Sequence, residues 1–496
     1  MFVKKQAGLS TPLSCSLLYL WSYSYVCNDC SRQRSVVAVF ITAVGGIISW
    51  PFLQFVVTFL TVFGFVLTSA TILVLAERKI LAWMQDREGP LHTGPWGLLQ
   101  SVADVGKLLL KEDIRVKEAD KMMFLLSPSV FMAPVIAAFA VLPFSPYLQL
   151  PGGALSTGLI FLVAMSSIDV IGVIMAGWGS NNKYSLIGGL RSAAQMISYE
   201  LPLVLAFVGV IMLTSILAGL PGFPHQDTPG VGTISPYEIM LFQNAAWHNT
   251  GIPVLDFIFQ GFTPWSWFFL FQPLMLIIYY TCGLAETNRA PFDLPEAESE
   301  LVAGYMTEYS GMRWAMFFLG EYGNMTIASA VASYLFLGGF AGPGVGWLTS
   351  QGSLLWGFVG NILALLYFVF KIYALCGVFI WIRATLPRLR ADQLMQFAWL
   401  ILMPVTLGNI LVTGLLYFLT ASLPTWVFLT VLAAVNWASL FGFIWLVGRV
   451  TTSTTRRAQA PAIRAQLRAK SATPTPALRD GVPTRVALPA GAGSHE

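Results

Sequence analysis

Seven acidic residues lie close together between two apolar stretches in the second half of the chain. They are Glu286, Asp293, Glu296, Glu298, Glu300, Glu308 and Glu321. All seven fall within the 41 residues 285–325, although the whole chain of 496 residues has only 24 acids. Arg289 and Arg313 are the only cations of that segment. A carboxylate near membrane depth is costly and usually marks a path for protons or ions. The segment therefore indicates a proton-handling site that faces a polar cavity.

Three of these acids, Glu296, Glu298 and Glu300, occupy alternate positions along the chain. Their spacing favours proton binding over metal binding or nucleophilic catalysis. Glu296 and Glu300 are one helical turn apart, while Glu298 points elsewhere. Carboxylates crowded into a low-dielectric cleft raise one another's pKa values, as in a proton reservoir. Histidine is nearly absent, and the HExxH and GxxxxGK[ST] motifs do not occur. A calcium site is poorly shaped, because ExExE lacks the glycine of an EF-hand loop. We therefore predict no metal site.

Two more acids lie inside apolar stretches, and each has two interpretations. Glu200, followed by Pro202, is either a proton relay or a satisfied carboxylate at the membrane interface. Asp169 in SSIDVIGV would cost about 2.5–3.5 kcal/mol if it had no partner in the membrane. It therefore either faces a polar interior or pairs with a base such as Lys371.

The elements that hold these residues are predicted by the apolar composition. Hydrophobic residues make up 56% of the chain, charged residues 10%, and the mean hydropathy is +0.69. These values are typical of an all-α polytopic membrane protein, and continuous apolar runs disfavour a β-barrel. We expect about nine transmembrane helices. The windows are 53–76, 123–143, 157–178, 199–219, 265–284, 315–337, 356–382, 398–420 and 424–447.

The basic residues predict the orientation of these helices. Of the 28 Lys and Arg residues, 23 fall in alternate loops and in the segment after residue 448, so they share one side of the membrane. The loops 144–156, 220–264 and 338–355 contain none. By the positive-inside rule, the basic loops and the C-terminus are cytoplasmic. The net charge of +4 therefore reflects topology and does not indicate nucleic-acid binding.

The chain divides into three parts. Residues 1–50 form an N-terminal extension of uncertain structure: its apolar residues 35–50 form an extra short span or half-span, or the true start lies downstream. A role for the lone CxxC motif at Cys27 and Cys30 is disfavoured, because it has no second pair. Residues 51–448 form the transmembrane helical domain. Residues 449–496 are basic and rich in Pro and Ala, as in a disordered cytoplasmic tail.

An amphipathic helix is expected between the first two spans. Its apolar residues recur at helical spacing: Leu98, Leu99, Val102, Val105, Leu108 and Leu109. It would lie along the membrane surface or beneath the bundle. Glu77 and Arg78 precede it at the membrane exit, either as an ordinary basic flank or as the rim of a cavity. Asp104 could form a surface pair with Lys107.

Several sequence blocks together resemble one known family. The blocks read ERKILAWMQDREGP, GPWGLLQSVADVGKLLLKED, GWGSNNKYSLIGGLRSAAQMISYE, AETNRAPFDLPEAESELVAGYMTEYSG and WIRATLPRLRADQLM. They are similar to the H subunit of bacterial NADH-quinone oxidoreductase (respiratory complex I), the counterpart of mitochondrial NADH dehydrogenase subunit 1. The resemblance covers about residues 51–420. It implies a multi-pass protein of the bacterial inner membrane that is not catalytic alone.

The resemblance also implies partners and residue roles. A protein of this family forms much of the chamber for a quinone such as ubiquinone and binds no cofactor, because FMN and iron–sulfur clusters belong to peripheral partner subunits. The implied quinone-chamber residues are Arg78, Arg87, Asp104, Arg191, Arg289 and Asp293. The implied proton-path residues are Glu200, Glu286, Glu296, Glu298, Glu300 and Glu321, with Glu77 and Glu308 as weaker candidates. Partners are other complex I subunits and membrane lipid.

The sequence departs from the family pattern at a few positions. Met306 and Leu400 stand where a polar residue and Lys are usual, Leu91 and His92 replace a common Asn-Arg pair, and Asp169 is not expected to be acidic. Two other classes remain open: a related membrane subunit of an energy-converting hydrogenase or other donor:quinone complex, and a stand-alone proton-coupled transporter. The latter would need an inverted repeat, which the sequence does not show.

Overall fold

The computed structural model describes most of the apolar part of the chain, and its elements are helices. The described residues are 50–146, 155–218, 232–244, 262–293, 303–350, 354–420 and 427–449. These helices confirm the all-α class. Residues 1–49 and 450–496, with the proposed extension and tail, lie outside the described residues, as do Glu296, Glu298 and Glu300. Predictions about them stay predictions.

The main helices of the described residues are numbered in chain order. They are α1 (Trp50–Met84), α2 (Gln100–Leu110), α3 (Lys121–Phe139), α4 (Gly158–Gly179), α5 (Lys183–Leu217), α6 (Pro236–Asn244), α7 (Pro273–Glu286), α8 (Gly311–Phe336), α9 (Val345–Ser350), α10 (Leu354–Thr385), α11 (Ala391–Gln396, a π-helical Phe397–Leu402, and Met403–Thr420) and α12 (Val427–Arg449). Single 3₁₀ turns occur at Pro95–Gly97, Pro264–Ser266 and Gly304–Met306, and one α-helical turn, Phe268–Phe271, precedes α7.

Seven of these helices are long and apolar enough to cross a membrane. They are α1, α3, α4, α5, α10, α11 and α12. About 20 residues are needed to span ~30 Å of hydrocarbon, so α1 and α5, with 35 residues each, extend beyond it. The multi-pass membrane class is therefore confirmed.

The other two expected spans are helical but differ from the seven. The window 265–284 is divided, and its longer part, α7, has 14 residues. At 1.5 Å per residue this is ~21 Å, which is short of the hydrocarbon thickness. The window 315–337 lies in α8, whose 26 residues include Arg313, Glu321 and Asn324 and lack the sustained hydropathy of a span. The total of nine stays a prediction.

Helix α8 lies at the centre of the described bundle. It packs against α1, α3, α7 and α10, and most of its residues from Phe317 to Phe336 are buried. Its polar side chains consequently face neighbouring helices and do not face lipid. This packing places Glu321 and Asn324 in the protein interior.

Two glycines allow the helices to approach closely. A Cβ added at Gly172 of α4 would lie 2.9 Å from the Phe131 backbone of α3, and one at Gly188 of α5 would lie 2.7 Å from the Cα of Gly304. Both distances are shorter than real Cβ contacts. Small residues at such crossings are typical of membrane helix packing. The second contact fixes the segment that carries Tyr305 against α5.

The expected amphipathic helix is present as α2. Its apolar side chains at Val102, Val105 and Leu109 are exposed, so they do not pack against the rest of the described chain. Gly311, at the start of α8, approaches the last turn of α2. The apolar face of α2 is therefore open to a lipid, a ligand or a partner protein.

Candidate functional site

Glu77 lies at the centre of a buried cluster of charged side chains. This residue of α1 is only 5% exposed. Its Oε2 accepts a hydrogen bond of 2.5 Å from the Tyr322 hydroxyl of α8. Its Oε1 forms an ion pair with Arg383 of α10 and lies 3.5 Å from Nη1 of Arg289. Three helices and the loop after α7 therefore meet at one carboxylate.

Arg289 joins Glu77 to a second acid. Its Nη2 lies 3.7 Å from Oε2 of Glu321, and its guanidinium lies 4.3 Å from the centre of the Tyr322 ring. The Tyr305 hydroxyl donates a hydrogen bond of 3.1 Å to Oε1 of Glu321. We call Glu77, Arg289, Tyr305, Glu321, Tyr322 and Arg383 the Arg289 cluster. Its two carboxylates and two guanidiniums balance in charge, which is how buried ions are usually tolerated.

The loop that carries Arg289 is fixed from two sides. Gln195 of α5 donates hydrogen bonds from Nε2 to the carbonyls of Ala285, at 2.8 Å, and Phe292, at 2.6 Å. Arg388, just after α10, donates from Nη2 to Oδ2 of Asp293 at 2.8 Å. The backbone between α7 and Asp293 is thereby held by α5 and by the segment that follows α10. This positions the guanidinium of Arg289 inside the protein.

A second group of acids surrounds a small cavity beside the first. The cavity has a volume of about 50 Å³ and is lined by Asp169, Glu286, Ser166 and Asn324 together with apolar side chains. Asn324 donates a hydrogen bond of 2.8 Å to Oδ2 of Asp169. Glu286 is near enough to both Glu200 and Asp169 to interact with them electrostatically. The structure therefore brings three acids from α4, α5 and α7 together.

The partner of Asp169 decides between the two interpretations of that residue. Asp169 faces the polar cavity, so the pairing with Lys371 is wrong. The ammonium of Lys371 instead donates to the carbonyls of Leu337, Gly339 and Ala341, each at 2.8 Å. It also lies 4.5 Å from the centre of the Trp267 ring. Lys371 thus ties together the chain just after α8, because a buried ammonium needs three acceptors.

Glu200 is a half-buried acid with a hydroxyl partner. The Ser167 hydroxyl of α4 donates a hydrogen bond to Oε1 of Glu200. This contact joins α4 to α5, and it is compatible with a proton relay and with a carboxylate at the membrane interface. Proton relay at this residue stays a prediction.

The expected chamber-mouth residues lie near α2 and are more exposed. Nη1 of Arg78 is 2.5 Å from Oδ2 of Asp104, and Nε2 of Gln100 donates to Oδ1 of Asp104 at 3.2 Å. Asp104 therefore pairs across to α1, and its expected pairing with Lys107 is wrong. Arg87 is exposed. These contacts hold α2 against the end of α1.

Two expected site residues lie away from these groups. Arg191 is half-buried on α5. Glu308 accepts a hydrogen bond of 2.7 Å from Nδ2 of Asn182, so it connects the start of α5 to the loop before α8. Asp293 and Arg289 share one loop, but the former pairs with Arg388 and the latter with the acids of the Arg289 cluster.

Sequence reasoning missed several members of the Arg289 cluster. The sequence does not indicate Tyr305 and Tyr322, because a tyrosine in an apolar stretch gives no sign of its hydrogen-bond partner. Arg383 stands in a basic flank, where a cation gives no sign of a partner inside the protein, yet it contacts Glu77. The sequence does contain a signal for this contact. Glu77 and Arg383 each lie at the cytoplasmic end predicted for their span, so the predicted topology places them at a similar depth. Glu77, a weaker candidate, is the centre of the cluster.

The described residues contain no group of three or more His, Cys, Asp or Glu side chains that could hold a metal ion. Cys282 and Cys376, the free cysteines among them, are buried. Taken together, the fold and site define a multi-pass α-helical membrane protein with ionisable residues buried between its helices.

Comparison with known proteins identifies the family. Residues 57–414 match the family model described as NADH dehydrogenase. A protein of Brevibacillus brevis is 45% identical over 362 residues, covering 73% of this chain and 93% of that protein. Proteins of Geobacter metallireducens (43% over 360 residues, 71% and 93%) and Dehalococcoides mccartyi (41% over 387 residues, 78% and 92%) are similar.

All three relatives are named as the H subunit of NADH-quinone oxidoreductase, the first of two such subunits in the Geobacter case. The chain belongs to the NADH dehydrogenase family. The resemblance that the sequence blocks indicated is thereby confirmed, and its extent of about residues 51–420 agrees with the matched residues.

Proposed function

We propose that this chain is the membrane subunit of a proton-translocating NADH:quinone oxidoreductase, that it walls the quinone chamber, and that it couples quinone reduction to proton transfer. Its relatives are named as subunits of that oxidoreductase. The observation that carries the coupling part is the Arg289 cluster. A change of charge at any one of its members alters the balance of a network that joins α1, α8 and α10.

The quinone-chamber part assigns Arg78, Arg87, Asp104, Arg191, Arg289 and Asp293 to the chamber wall or its mouth. The ion pair of Arg78 and Asp104 stands beside the exposed apolar side chains of α2. An isoprenoid quinone has a long apolar tail and a polar ring, so an apolar helix face next to polar groups suits its entry. Reduction of the ring takes up two electrons and two protons.

The proton-path part assigns Glu200, Glu286 and Glu321 from the described residues. Glu296, Glu298 and Glu300 belong to the same path but lie outside them. Negative charge that develops on the reduced quinone repels nearby carboxylates and attracts Arg289, so protons shift along the acids. The acid-rich segment 285–325 is the bistable element whose two states carry the coupling.

The remaining parts concern partners and placement. FMN and iron–sulfur clusters reside in peripheral partner subunits, electrons reach the quinone from there, and this chain binds no cofactor of its own. It contacts other subunits of complex I and membrane lipid, and it does not bind nucleic acid. The chain lies in the bacterial inner membrane with its basic loops and its C-terminus on the cytoplasmic side, as the charge distribution favours.

The first experiment purifies the tagged chain with its partners in mild detergent. Flavin, iron–sulfur and antiporter-like subunits, with NADH:quinone activity that a quinone-site inhibitor blocks, support the proposal. Co-purification with a nickel–iron hydrogenase would reassign the chain to a related complex. A chain that purifies alone would contradict membership of either complex and favour a transporter.

The second experiment tests coupling in liposomes that contain the purified complex. Glu286→Gln and Glu200→Gln remove one ionisable group each with little change of shape. We expect both to lower proton pumping and quinone reduction, while NADH oxidation by an artificial acceptor is unchanged. Glu238→Gln is the matched control, because Glu238 is hydrogen-bonded to Thr233 away from the acidic cavity. Full pumping in both Glu286→Gln and Glu200→Gln would refute the assignment.

A further inference from the structure

Asp169 has one satisfied and one unsatisfied oxygen. It is only 2% exposed, and Nδ2 of Asn324 donates to its Oδ2 at 2.8 Å. Its Oδ1 is buried and has no hydrogen-bond partner among the described residues. Buried polar atoms are nearly always hydrogen-bonded to protein or to ordered water. This oxygen therefore needs a partner that the described part of the protein does not supply.

The cavity next to Asp169 has room for that partner. Its volume of about 50 Å³ exceeds the roughly 10–15 Å³ that one water molecule needs. Asp169, Glu286, Ser166 and Asn324 all line it, so a water there would find the two to four polar partners that hold buried water in place. Water therefore fits both the size and the chemistry of this cavity.

The charges around the cavity favour proton sharing. Glu286 interacts electrostatically with Asp169 and with Glu200, and the described residues that line the cavity include no Lys or Arg. Two carboxylates in a poorly solvated space repel each other strongly. The described lining offers no cation to offset this repulsion, in contrast to the charge-balanced Arg289 cluster.

We propose that Asp169 is a proton-carrying residue that exchanges a proton with Glu286 through water bound in this cavity. The inference rests on the proposed function and adds a residue to its proton path. In the exchange, the O–H bond of protonated Glu286 breaks and one forms at Asp169, while water in between accepts and passes on a proton. No water or electron is consumed. Asn324 positions the Asp169 carboxylate by its hydrogen bond to Oδ2.

The test compares Asp169→Asn, Asp169→Glu and Glu286→Gln in the purified complex in liposomes. Asp169→Asn keeps the side-chain size but cannot bind a transferable proton. We expect it to lose most proton pumping, to keep NADH oxidation by an artificial acceptor, and to be rescued by Asp169→Glu. Glu238→Gln serves as the control and should pump normally. Redox-induced infrared difference spectra should contain a protonated carboxyl band that Asp169→Asn removes.

The outcomes separate this inference from the proposed function. Full pumping in Asp169→Asn with loss in Glu286→Gln overturns the role of Asp169 but leaves the proposed function in place. Full pumping in both overturns both. Loss of pumping in Asp169→Asn without rescue by Asp169→Glu, and with the carboxyl band unchanged, would show a structural role and also overturn the inference.

A measurement on the unaltered complex covers the case in which Asp169→Asn does not assemble. Isotopic labelling of aspartate carboxyl carbons shifts the infrared band of any aspartate that changes protonation during turnover. A shifted band supports the proposal. A difference spectrum without any aspartate contribution contradicts it, because Asp169 could not then exchange a proton with Glu286.

Discussion

Replacing Arg289 by methionine should destabilise the protein strongly, because it removes the cation that lies between two buried acids. Arg289→Met keeps much of the apolar stem but loses the guanidinium. Nη1 and Nη2 lie 3.5 Å from Glu77 and 3.7 Å from Glu321. Glu77 would keep Arg383, whereas Glu321 would lose the guanidinium at 3.7 Å and keep the Tyr305 hydroxyl at 3.1 Å. The cluster would then carry a net negative charge.

The size of the effect follows from these distances. Unit charges about 4 Å apart attract by about 4 kcal/mol at an effective dielectric constant near 20. Part of that attraction is offset, because the guanidinium no longer has to be removed from water. Measured losses on breaking a buried pair are about 3–5 kcal/mol, and we expect this range for Arg289→Met. Neutralising Glu321 as well, in the double variant Arg289→Met with Glu321→Gln, should recover about 0.5–3 kcal/mol, as coupled neighbours do.

The assay is the thermal inactivation of the purified complex for both single variants and the double variant. We expect Arg289→Met to lower the inactivation midpoint the most. The double variant should lower the midpoint by less than the sum of the two single variants. Lys79→Met is the control, since Lys79 is bonded to the Trp96 carbonyl outside the cluster. A midpoint of Arg289→Met equal to that of the unaltered complex, or strictly additive effects, would refute the reasoning.

Three further substitutions test other contacts. Their effect on stability is measured by the same inactivation assay, and Asp104→Asn is also tested by the KM for quinone. Gly188→Ala should cost about 1–3 kcal/mol through overpacking, because its Cβ would lie 2.7 Å from the Cα of Gly304; an unchanged midpoint would mean that this contact is loose. Lys371→Met should lower the stability by about 1–3 kcal/mol, because it leaves three carbonyls without their hydrogen-bond donor. An unchanged midpoint would contradict the role of Lys371 in holding the chain after α8. Asp104→Asn should change stability by only about 0.2–1 kcal/mol, because its pair with Arg78 is exposed, but we expect it to raise the KM for quinone; an unchanged KM would count against the chamber mouth.

The helices could be predicted because apolar run length alone specifies them. In the part of the chain that the structure describes, each of the nine windows is mainly helical, and seven helices also have the length and hydropathy of spans. The exceptions have physical reasons. Gln272 and Pro273 stand where the window 265–284 divides. Helix α8 has the polar residues Glu321 and Asn324 at positions that face the protein interior. Such polar residues lower the mean hydropathy of a sequence window. In the folded protein they contact polar groups of neighbouring helices.

The acids of the site could be predicted, but their partners could not. Glu286 and Glu321 are conspicuous because carboxylates are rare in such stretches. Their partners come from distant segments: Tyr322 and Glu77 are separated by 245 residues, and Arg383 and Glu77 by 306. Only the packing of α8 against α1 and α10 brings these groups together. Charge rarity therefore locates a site, while three-dimensional packing decides which charges compensate each other.

This difference in compensation argues for two kinds of acid where the sequence suggested one. Glu321 is held against Arg289, so adding a proton to it would leave a buried guanidinium with one fewer counter-charge. Glu286 and Asp169 line a cavity without a cation, so adding a proton there relieves repulsion. Within the proposed proton path, the cavity acids should therefore hold the exchangeable protons, whereas Glu321 should contribute through its pairing with Arg289, which changes when charge develops on the quinone. On this argument Glu321→Gln should impair stability more than Glu286→Gln does, and Glu286→Gln should impair pumping more.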